Sequence, residues 1–319
     1  MRPLRKVGYY ISNFAVDNFS TYIYSERFYS LIDSYPIDEI IRSFDRLNYY
    51  NKLSHEFSLS NCREIGNIEK NSSMYYYDLK EYARFFPKKS KISYVFGDIT
   101  EIPATPSIVK SRPINGDNSN SVILNLDKFR HYYTVKDRRD FRTKLPKAVW
   151  RGRNNNSKRL KLVESFHDHP LCDVGLVHEN LLKEYTKPWL SLKQQLQYRY
   201  IISVEGRDVA TNLKWIMSSK SLCMMPKCIY ETWFMEGRLI PGFHFVLLND
   251  DFSDLPEKIE YYNKYPLAAE EIINNANDYC TDFFDKDKEK LVSLLVLMKY
   301  FYLSGQIDLP DRLKDLRWC

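Results

Sequence analysis

Arg151 and Arg153 lie on either side of Gly152 in the stretch VWRGRNNNSKRLKLVESF, which runs from Val149 to Phe166. The apolar residues before them predict a β-strand, and the polar residues after them predict the start of a helix. Guanidinium groups at such a turn bind carboxylates or phosphates through paired hydrogen bonds. A solvated loop is the alternative, so the pair indicates an anion site only if residues elsewhere support it.

A second stretch, VEGRDVATNLKW, places Glu205 and Gly206 after a probable strand and Lys214 inside a predicted helix. Glycine lets a backbone approach a ligand closely, and free N–H groups at a helix start favour phosphate. A carboxylate at a strand end can accept hydrogen bonds from both hydroxyls of a ribose. The combination fits a nucleotide, while the alternative is that Glu205 caps a helix or pairs with a loop.

Asp98 follows a third probable strand, in the stretch FGDITEIP. We expect all three stretches at the carboxyl edges of strands, where α/β proteins bind ligands. An aspartate at such an edge can accept a proton from a hydroxyl group. The chain contains neither GxGxxG after a strand nor GxxxxGK[ST], so the standard dinucleotide and P-loop fingerprints are absent.

Other residues of chemical interest receive a structural interpretation. Asp285 and Asp287 form a DxD pattern, but they begin a charged helix and do not follow a strand. His167 and His169 flank Asp168, yet no second ligand pair has zinc spacing. The sequence therefore predicts no metal site.

Most of the cysteines, and the aromatic residues of the stretch IYETWF, can be explained by packing in a hydrophobic core. Most cysteines lie in apolar segments without the spacing of a disulfide framework, which predicts free thiols in a reducing cytoplasm. Tyr230, Trp233 and Phe234 are either core aromatics or a stacking wall beside a ligand. The cysteines are at positions 62, 172, 223, 228, 280 and 319.

The composition predicts a folded protein with a mild excess of positive charge. The 319 residues are 44% hydrophobic, which suffices for two cores. A net charge of +6, spread among acidic residues, favours phosphate-bearing small molecules or an anionic membrane surface over nucleic acid. The longest apolar run, LVSLLVLMKYFYL, is too short to span a bilayer and predicts a buried helix.

From about residue 145 onward, short apolar runs alternate with helical patterns. AVWRG, LCDVGLV, RYIISVEG, SLCMMP and FHFVLLN predict strands. NSKRLKLVESF, SLKQQLQY, VATNLKWIMSSK and SDLPEKIEYYNKY predict helices. Asn156 or Ser157 should open the first of these helices, and Ser253 should cap the last, with Pro256 in its first turn. This order predicts a mostly parallel, doubly wound sheet.

The first ~140 residues are less regular. KISYVFGDI and SVILNLDKF predict strands, whereas EIPATPSIVKSRPINGDNSNS between them predicts a loop at a functional edge. We therefore predict an α/β fold in three segments: an N-terminal domain over 1–140, a second domain over 141–284, and a helical segment over 285–319 that packs across both.

Taken together and in this order, these segments resemble glycosyltransferase family 90, which includes CAP10-like capsule xylosyltransferases and protein O-glucosyltransferases. The resemblance runs from about Lys91 to Cys280. Its most specific part is the block that begins YRYIISVEGRDVATNLKW, and AVWRGR matches the family's aromatic-Arg-Gly-x-Arg turn. The resemblance implies a GT-B-like architecture, with two Rossmann-like domains facing a central cleft and the nucleotide-sugar held mainly by the C-terminal one.

The resemblance also implies the chemistry. It implies transfer from a UDP-sugar with inversion at the anomeric carbon and without a metal ion or cofactor. Asp98 would be the base that activates the acceptor, although this chain has Gly97 where the family carries arginine. The arginines would take the place of a metal on the donor diphosphate, and Glu205 would lie against the nucleotide. The implied donor-binding residues are Arg151, Gly152, Arg153, Glu205, Gly206, Asn212 and Lys214.

The expected acceptor is inferred from the members of the family that the chain resembles. Without a recognisable signal peptide or membrane span, it is similar to bacterial members associated with lipopolysaccharide core. We predict a cytoplasmic enzyme that transfers a hexose or pentose to a surface glycan acceptor. MRPLRK and the run from Lys128 to Lys144 would give peripheral contact with the inner membrane surface. The alternatives are solvated surface for these segments, a non-catalytic polyanion-binding protein, or a scaffold that binds nucleotide-sugar.

Overall fold

The computed structural model describes residues 7–10, 28–71, 73–131 and 134–318. The chain divides into two compact units. The first consists of Met1–Phe129 and Asp285–Cys319, and the second consists of Arg130–Phe284. The region from 285 onward, which the sequence suggested as a separate segment, is thus grouped with the first unit.

The first unit contains a small parallel sheet. The strands of this unit are β1 (Arg63–Glu64), β2 (Lys91–Ile92), β3 (Tyr94–Val95), β4 (Ser107–Val109), β5 (Ser111–Pro113) and β6 (Ser121–Ile123). The parallel sheet consists of β3, β4 and β6. β4 pairs in parallel with β3 on one side and β6 on the other, and β1 pairs with β2 antiparallel. The prediction of a loop between residues 101 and 121 was wrong for residues 107–113, because β4 and β5 lie there. Each has only three residues, too few to show a period between the prolines.

The second unit is built on a five-stranded sheet. Its strands are β7 (Leu145–Gly152), β8 (Cys172–Leu176), β9 (Tyr198–Ile202), β10 (Leu222–Met225) and β12 (Val246–Leu247), and β11 (Tyr230–Thr232) precedes β12 in the chain. The order is β12-β10-β9-β7-β8, and every neighbouring pair is parallel. This confirms the predicted α/β fold with a parallel sheet, whose apolar strands are buried as a sheet covered on both faces requires.

The helices follow the predicted alternation in the second unit. The helix Ser157–Phe166 begins after Asn156, whose side chain accepts the N–H of Arg159, as expected of an N-cap. Asp254 occupies the N-cap position of the helix Leu255–Lys264, where the sequence suggested Ser253. The hydroxyl of Ser253 donates to Asp251 instead. The helices are α1 (Phe28–Asp33), α2 (Ile37–Tyr50), α3 (Ser73–Ala83), α4 (Lys128–His131), α5 (Ser157–Phe166), α6 (Leu192–Gln195), α7 (Leu213–Met217), α8 (Leu255–Lys264), α9 (Pro266–Thr281) and α10 (Lys286–Leu303).

The apolar run near the C-terminus forms most of α10 and is buried almost throughout, which confirms the predicted buried helix. α10 packs on α2 in the core of the first unit. Arg46 Nη1 lies 2.5 Å from Glu289 Oε1 across this contact, and Asn51 donates to the carbonyl of Val296. Among the helices of the described ranges, none combines the length and the apolar character needed to cross a bilayer.

Candidate functional site

Arg151 lies in β7 and is held by its own unit. Its Nη2 is 2.8 Å from Asp173 Oδ1, and its other N–H groups donate to the carbonyls of Pro188, Trp150 and Asp173. Only 5% of its side chain is exposed. Tyr198 donates to the second oxygen of Asp173. The structure therefore gives this guanidinium four hydrogen bonds to the protein before any ligand is considered.

Arg153 differs from Arg151 although one residue separates them. Its side chain is exposed, and within the described ranges no residue forms a hydrogen bond or ion pair with its guanidinium. Gly152 between them lies against Trp150, because a Cβ at Gly152 would come within 2.3 Å of that ring. The glycine is thus explained by packing of the tryptophan, and Arg153 is the member of the pair that is available to an anion.

Arg159, in the first turn of α5, is a cation that the sequence analysis did not select. Its guanidinium donates to the carbonyls of Glu205, Val204 and Arg153 and lies 5.7 Å from the centre of the Trp150 ring. No carboxylate in the described part of the chain pairs with it. Burial lowers the pKa of Arg159 to about 10, because water is removed without a compensating anion.

Glu205 follows β9 and is half-buried beside a loop. Its Oε1 accepts the N–H groups of Ile229 and Tyr230 at 3.0 and 3.1 Å. Burial raises the pKa of Glu205 to about 7, although these two hydrogen bonds oppose the rise. The structure therefore supports the alternative in which Glu205 pairs with a loop. Because both bonds use one oxygen, contact with a nucleotide through the other remains a prediction.

The turn after Glu205 is tied to neighbouring elements through side-chain amides. Asn156 Nδ2 donates to the carbonyls of Glu205 and Gly206 at 2.8 and 2.7 Å. Asn212 donates to the carbonyl of Ile202, at the end of β9. These bonds join the start of α5 to the turn after β9, so the two strand-end stretches singled out in the sequence form one edge of the sheet.

Lys214 lies in α7 with its ammonium in the interior of the second unit. Its Nζ is 2.5 Å from Glu236 Oε1, and the two side chains are 4% and 0% exposed. Glu236 also accepts hydrogen bonds from the backbone and hydroxyl of Thr232. Lys214 also lies 5.5 Å from the ring centre of Phe234. The predicted donor-binding ammonium is thus part of a buried ion pair.

A small cavity opens at the carboxyl ends of β9 and β10. It is lined by Glu205, Leu213, Met225, Cys228 and Glu236, among others. In a parallel α/β sheet the carboxyl ends of the central strands are the usual position for a ligand. The cavity and the cations Arg153 and Arg159 belong to the same edge of the second unit, because Arg159 bonds the carbonyls of Val204, Glu205 and Arg153.

Asp98 belongs to the first unit and lies three residues after β3. Its Oδ1 is 2.6 Å from Nζ of Lys110, the residue that follows β4. The Asp98 side chain is 30% exposed and that of Lys110 is 2% exposed. The predicted strand-end aspartate is therefore partly open to solvent and is paired with a buried lysine.

Several cations in the basic run from Lys128 to Lys144 form ion pairs within the protein. Lys128 pairs with Glu81, Lys144 with Asp137, and Arg142 with Glu270. Lys136, Arg138 and Arg139 are solvent-facing, and their charged groups have no partner within the described ranges. The segment MRPLRK lies outside the described residues. Contact with a membrane remains a prediction that rests on the solvent-facing cations.

The remaining polar and aromatic candidates have local partners. Asp285 is the N-cap of α10 and accepts the N–H groups of Asp287 and Lys288, which confirms its place at a helix start. Trp233 and Phe234 are buried, which settles the alternative in favour of core packing for both. The described cysteines are free thiols. Within the described ranges, no group of three or more His, Cys, Asp or Glu side chains is arranged to hold a metal ion.

Arg159 could have been found from helix electrostatics. Cations at a helix N-terminus are unfavourable because the aligned peptide dipoles are positive there. The first turn of α5 nevertheless contains Lys158 and Arg159 and no acidic residue. Such a placement is unfavourable unless acceptors compensate it, as the three carbonyls do in part for Arg159 and as a bound anion would do further.

Comparison with known proteins adds to this geometry. The model for glycosyl transferase family 90 matches residues 123–303. This range takes in all the predicted donor-binding residues and leaves out Asp98. An O-glucosyltransferase, LpsA, from Dichelobacter nodosus is 50% identical over 262 residues, which cover 81% of this chain and 82% of that protein.

Animal relatives match a shorter part. Protein O-glucosyltransferase 2 of Danio rerio is 28% identical over 136 residues, which cover 40% of this chain and 27% of that protein. Protein O-glucosyltransferase 3 of Homo sapiens is 26% identical over 164 residues, which cover 49% of this chain and 32% of that protein. The matched part is thus less than a third of each of these animal proteins.

Proposed function

Because the chain belongs to glycosyltransferase family 90, we propose that this glycosyltransferase moves a sugar from a UDP-sugar to a hydroxyl group of a surface glycan, without a metal ion. The observation that carries the proposal is the pair of arginines, Arg153 and Arg159, beside the ends of β7 and β9. Arg153 is exposed and Arg159 is largely buried, and neither has a carboxylate partner in the described chain. A diphosphate would supply the missing negative charge.

The proposed reaction is a single displacement. Asp98 accepts the proton of the acceptor hydroxyl, whose oxygen then bonds to the anomeric carbon while the bond from that carbon to the β-phosphate oxygen breaks. The electron pair leaves with UDP, and the configuration at the carbon is inverted. The growing charge on the leaving diphosphate is stabilised by Arg153 and Arg159, of which Arg159 is already held by three backbone carbonyls.

The remaining parts of the proposal rest on the relatives. We propose glucose as the transferred sugar, since three relatives are O-glucosyltransferases. The parallel sheet in each unit supports a GT-B architecture. Lipopolysaccharide core as acceptor and a cytoplasmic location with peripheral membrane contact follow from the resemblance to bacterial members of the family.

The first experiment is calorimetric titration of the purified full chain with UDP, GDP, CMP and ADP, then with UDP-glucose, UDP-galactose and UDP-xylose, each with EDTA and with Mn²⁺. We expect UDP to bind with equal affinity in EDTA and in Mn²⁺, and Arg153→Ala to weaken this binding. UDP binding that requires Mn²⁺ would overturn the metal-independent mechanism, and lack of nucleotide binding would favour a polyanion-binding protein.

Turnover is then measured as UDP released from the preferred donor in the presence of deacylated lipopolysaccharide core. Asp98→Asn should abolish turnover while UDP binding persists, because the donor-binding residues all belong to the second unit. A protein that binds UDP-sugar but releases no UDP with this acceptor would be a scaffold or would require another acceptor. Undiminished turnover by Asp98→Asn would remove that residue from the mechanism.

A further inference from the structure

Lys110 is placed beside Asp98 by the parallel pairing of β3 with β4. Tyr94 pairs with Ile108 and Val95 with Val109, so both strands end at the same edge of the sheet. Lys110 is the first residue after β4. Lys110 lies beside Asp98 because β4 is present, a strand that the sequence analysis did not predict in this proline-rich segment.

The burial of the two side chains is unequal. Lys110 is almost completely buried, whereas Asp98 is partly exposed, and their charged atoms are 2.6 Å apart. A buried ammonium is costly unless it is paired or hydrogen-bonded, and this carboxylate pairs with it. The solvent-facing group of the pair is therefore the carboxylate.

The backbone on either side of Asp98 is also constrained. Gly97 has a φ of +117°, a conformation that favours glycine, and it turns the backbone directly before Asp98. The hydroxyl of Ser111, next to Lys110, lies 3.4 Å from both the N–H and the carbonyl oxygen of Ile99. The residues on either side of the aspartate are thus constrained by the turn and by the chain that follows β4.

We propose that Lys110 is a positioning residue for Asp98, an inference that rests on the proposed function of Asp98 as the base. The ammonium places a positive charge 2.6 Å from Oδ1 and so holds the carboxylate in one position. Contact with Oδ1 also fixes the rotation of the carboxylate, so that its direction toward an acceptor hydroxyl does not vary. Lys110 takes no part in donor binding.

The test measures UDP release by Lys110→Met, Lys110→Arg and Asp98→Asn with UDP-glucose and deacylated lipopolysaccharide core. We expect Lys110→Met to lower kcat by about tenfold to hundredfold, as misplacement of a catalytic group does, with little change in donor KM. Lys110→Arg should recover most of kcat because it retains the charge.

Lys299→Met is the matched control. Lys299 is a buried lysine of the same unit, and its Nζ donates to Asn48 Oδ1 and to the carbonyl of Asn51. This change should leave kcat at the wild-type value in folded protein. Lys110→Gln is the second charge-free variant if Lys110→Met does not fold, and circular dichroism and melting temperature are recorded for each.

The outcomes separate the two proposals. Loss of turnover in Asp98→Asn with an unchanged kcat in folded Lys110→Met or Lys110→Gln would overturn the inference and leave the proposed function intact. A rise in donor KM with unchanged kcat would also overturn it, by assigning Lys110 to binding. If Asp98→Asn turns over normally, the base assignment fails and the positioning of that base by Lys110 fails with it.

Discussion

Arg151 and Asp173 form an ion pair between neighbouring strands of the second unit, with 2.8 Å between Nη2 and Oδ1. The register of the parallel sheet brings them together, since residues 148–152 of β7 pair with residues 172–176 of β8. Burial opposes ionisation of Asp173, but hydrogen bonds from Tyr198 and Arg151 outweigh it and hold the pKa of this carboxyl below its ordinary value. Arg151 thus stabilises the sheet, while Arg153 remains open to ligand.

Substitution should separate these two arginines. Arg151→Ala should lower the free energy of unfolding by about 1 to 3 kcal/mol, because Asp173 and the neighbouring carbonyls lose hydrogen bonds from a buried donor. Arg153→Ala should leave stability within about 0.5 kcal/mol and weaken UDP binding by about tenfold or more, because a charge-assisted bond to phosphate is lost. Urea denaturation and calorimetric titration measure the two effects. The reverse pattern would show that Arg151 leaves Asp173 to bind the donor.

Glu205 should make stability depend on pH. Its pKa is raised from 4.5 to about 7 in the folded protein, so the folded state binds the proton more tightly than the unfolded state. The free energy of unfolding should therefore fall by up to about 3 kcal/mol as the pH rises from 4.5 to about 7. Below this range the ionisation of Glu205 costs no stability, and above it the full cost is present.

Glu205→Gln tests this dependence, because glutamine can still accept the N–H groups of Ile229 and Tyr230 but does not ionise. Its stability relative to the wild type should rise between about pH 5 and about pH 8, as measured by urea denaturation across the range. A difference that stays constant with pH would contradict the argument and would indicate that Glu205 is charged throughout.

The buried pair of Lys214 and Glu236 should be strongly coupled. Lys214→Met should cost about 3 to 5 kcal/mol, because it leaves a buried carboxylate without its cation. The double variant Lys214→Met with Glu236→Gln should recover part of this loss, since the introduced glutamine is neutral and can still accept from Thr232. Urea denaturation of the four proteins gives the coupling energy, and additive effects would contradict a direct pair. UDP affinity, measured on the same proteins, shows whether Lys214 also contacts the donor.

Membrane contact should depend on Arg138 and Arg139, the solvent-facing neighbours in the basic run. Reversal of both charges, Arg138→Glu with Arg139→Glu, should weaken binding to phosphatidylserine-containing vesicles by at least about tenfold, since each basic residue near an anionic surface contributes about 1 kcal/mol. Cosedimentation measures this, and binding should also weaken with salt. Arg63→Glu, at an exposed arginine elsewhere in the chain, is the control. Binding insensitive to salt would reject an electrostatic contact.

The sequence was most informative where elements are long and apolar. The strands around Trp150 and Tyr200 and the helix that follows Asn156 were predicted with their order and type, because a buried parallel sheet requires continuous apolar runs. The same regularity placed the turn after Gly152 and the turn after Glu205 at strand ends. Parallel pairing then brings those turns to one edge, which is why the edge could be expected from sequence.

Only the tertiary structure decided which charges at that edge have partners. Arg151 and Arg153 are indistinguishable in the sequence, yet the first meets Asp173 from β8 and the second meets no described carboxylate. Lys214 meets Glu236 across 22 residues of chain. Pairing over such separations depends on how loops return to the sheet, and residue type and local period contain no information about that path.

The sequence by itself determined the α/β fold, the family resemblance and the strand-end position of Asp98. The tertiary structure added β4, and with it Lys110 beside that aspartate. A three-residue strand has too little local signal to be recognised, because its stability comes from hydrogen bonds to β3 and β6. The position of Lys110 next to Asp98, the proposed base, could therefore be recognised only from the pairing of those strands in the structure.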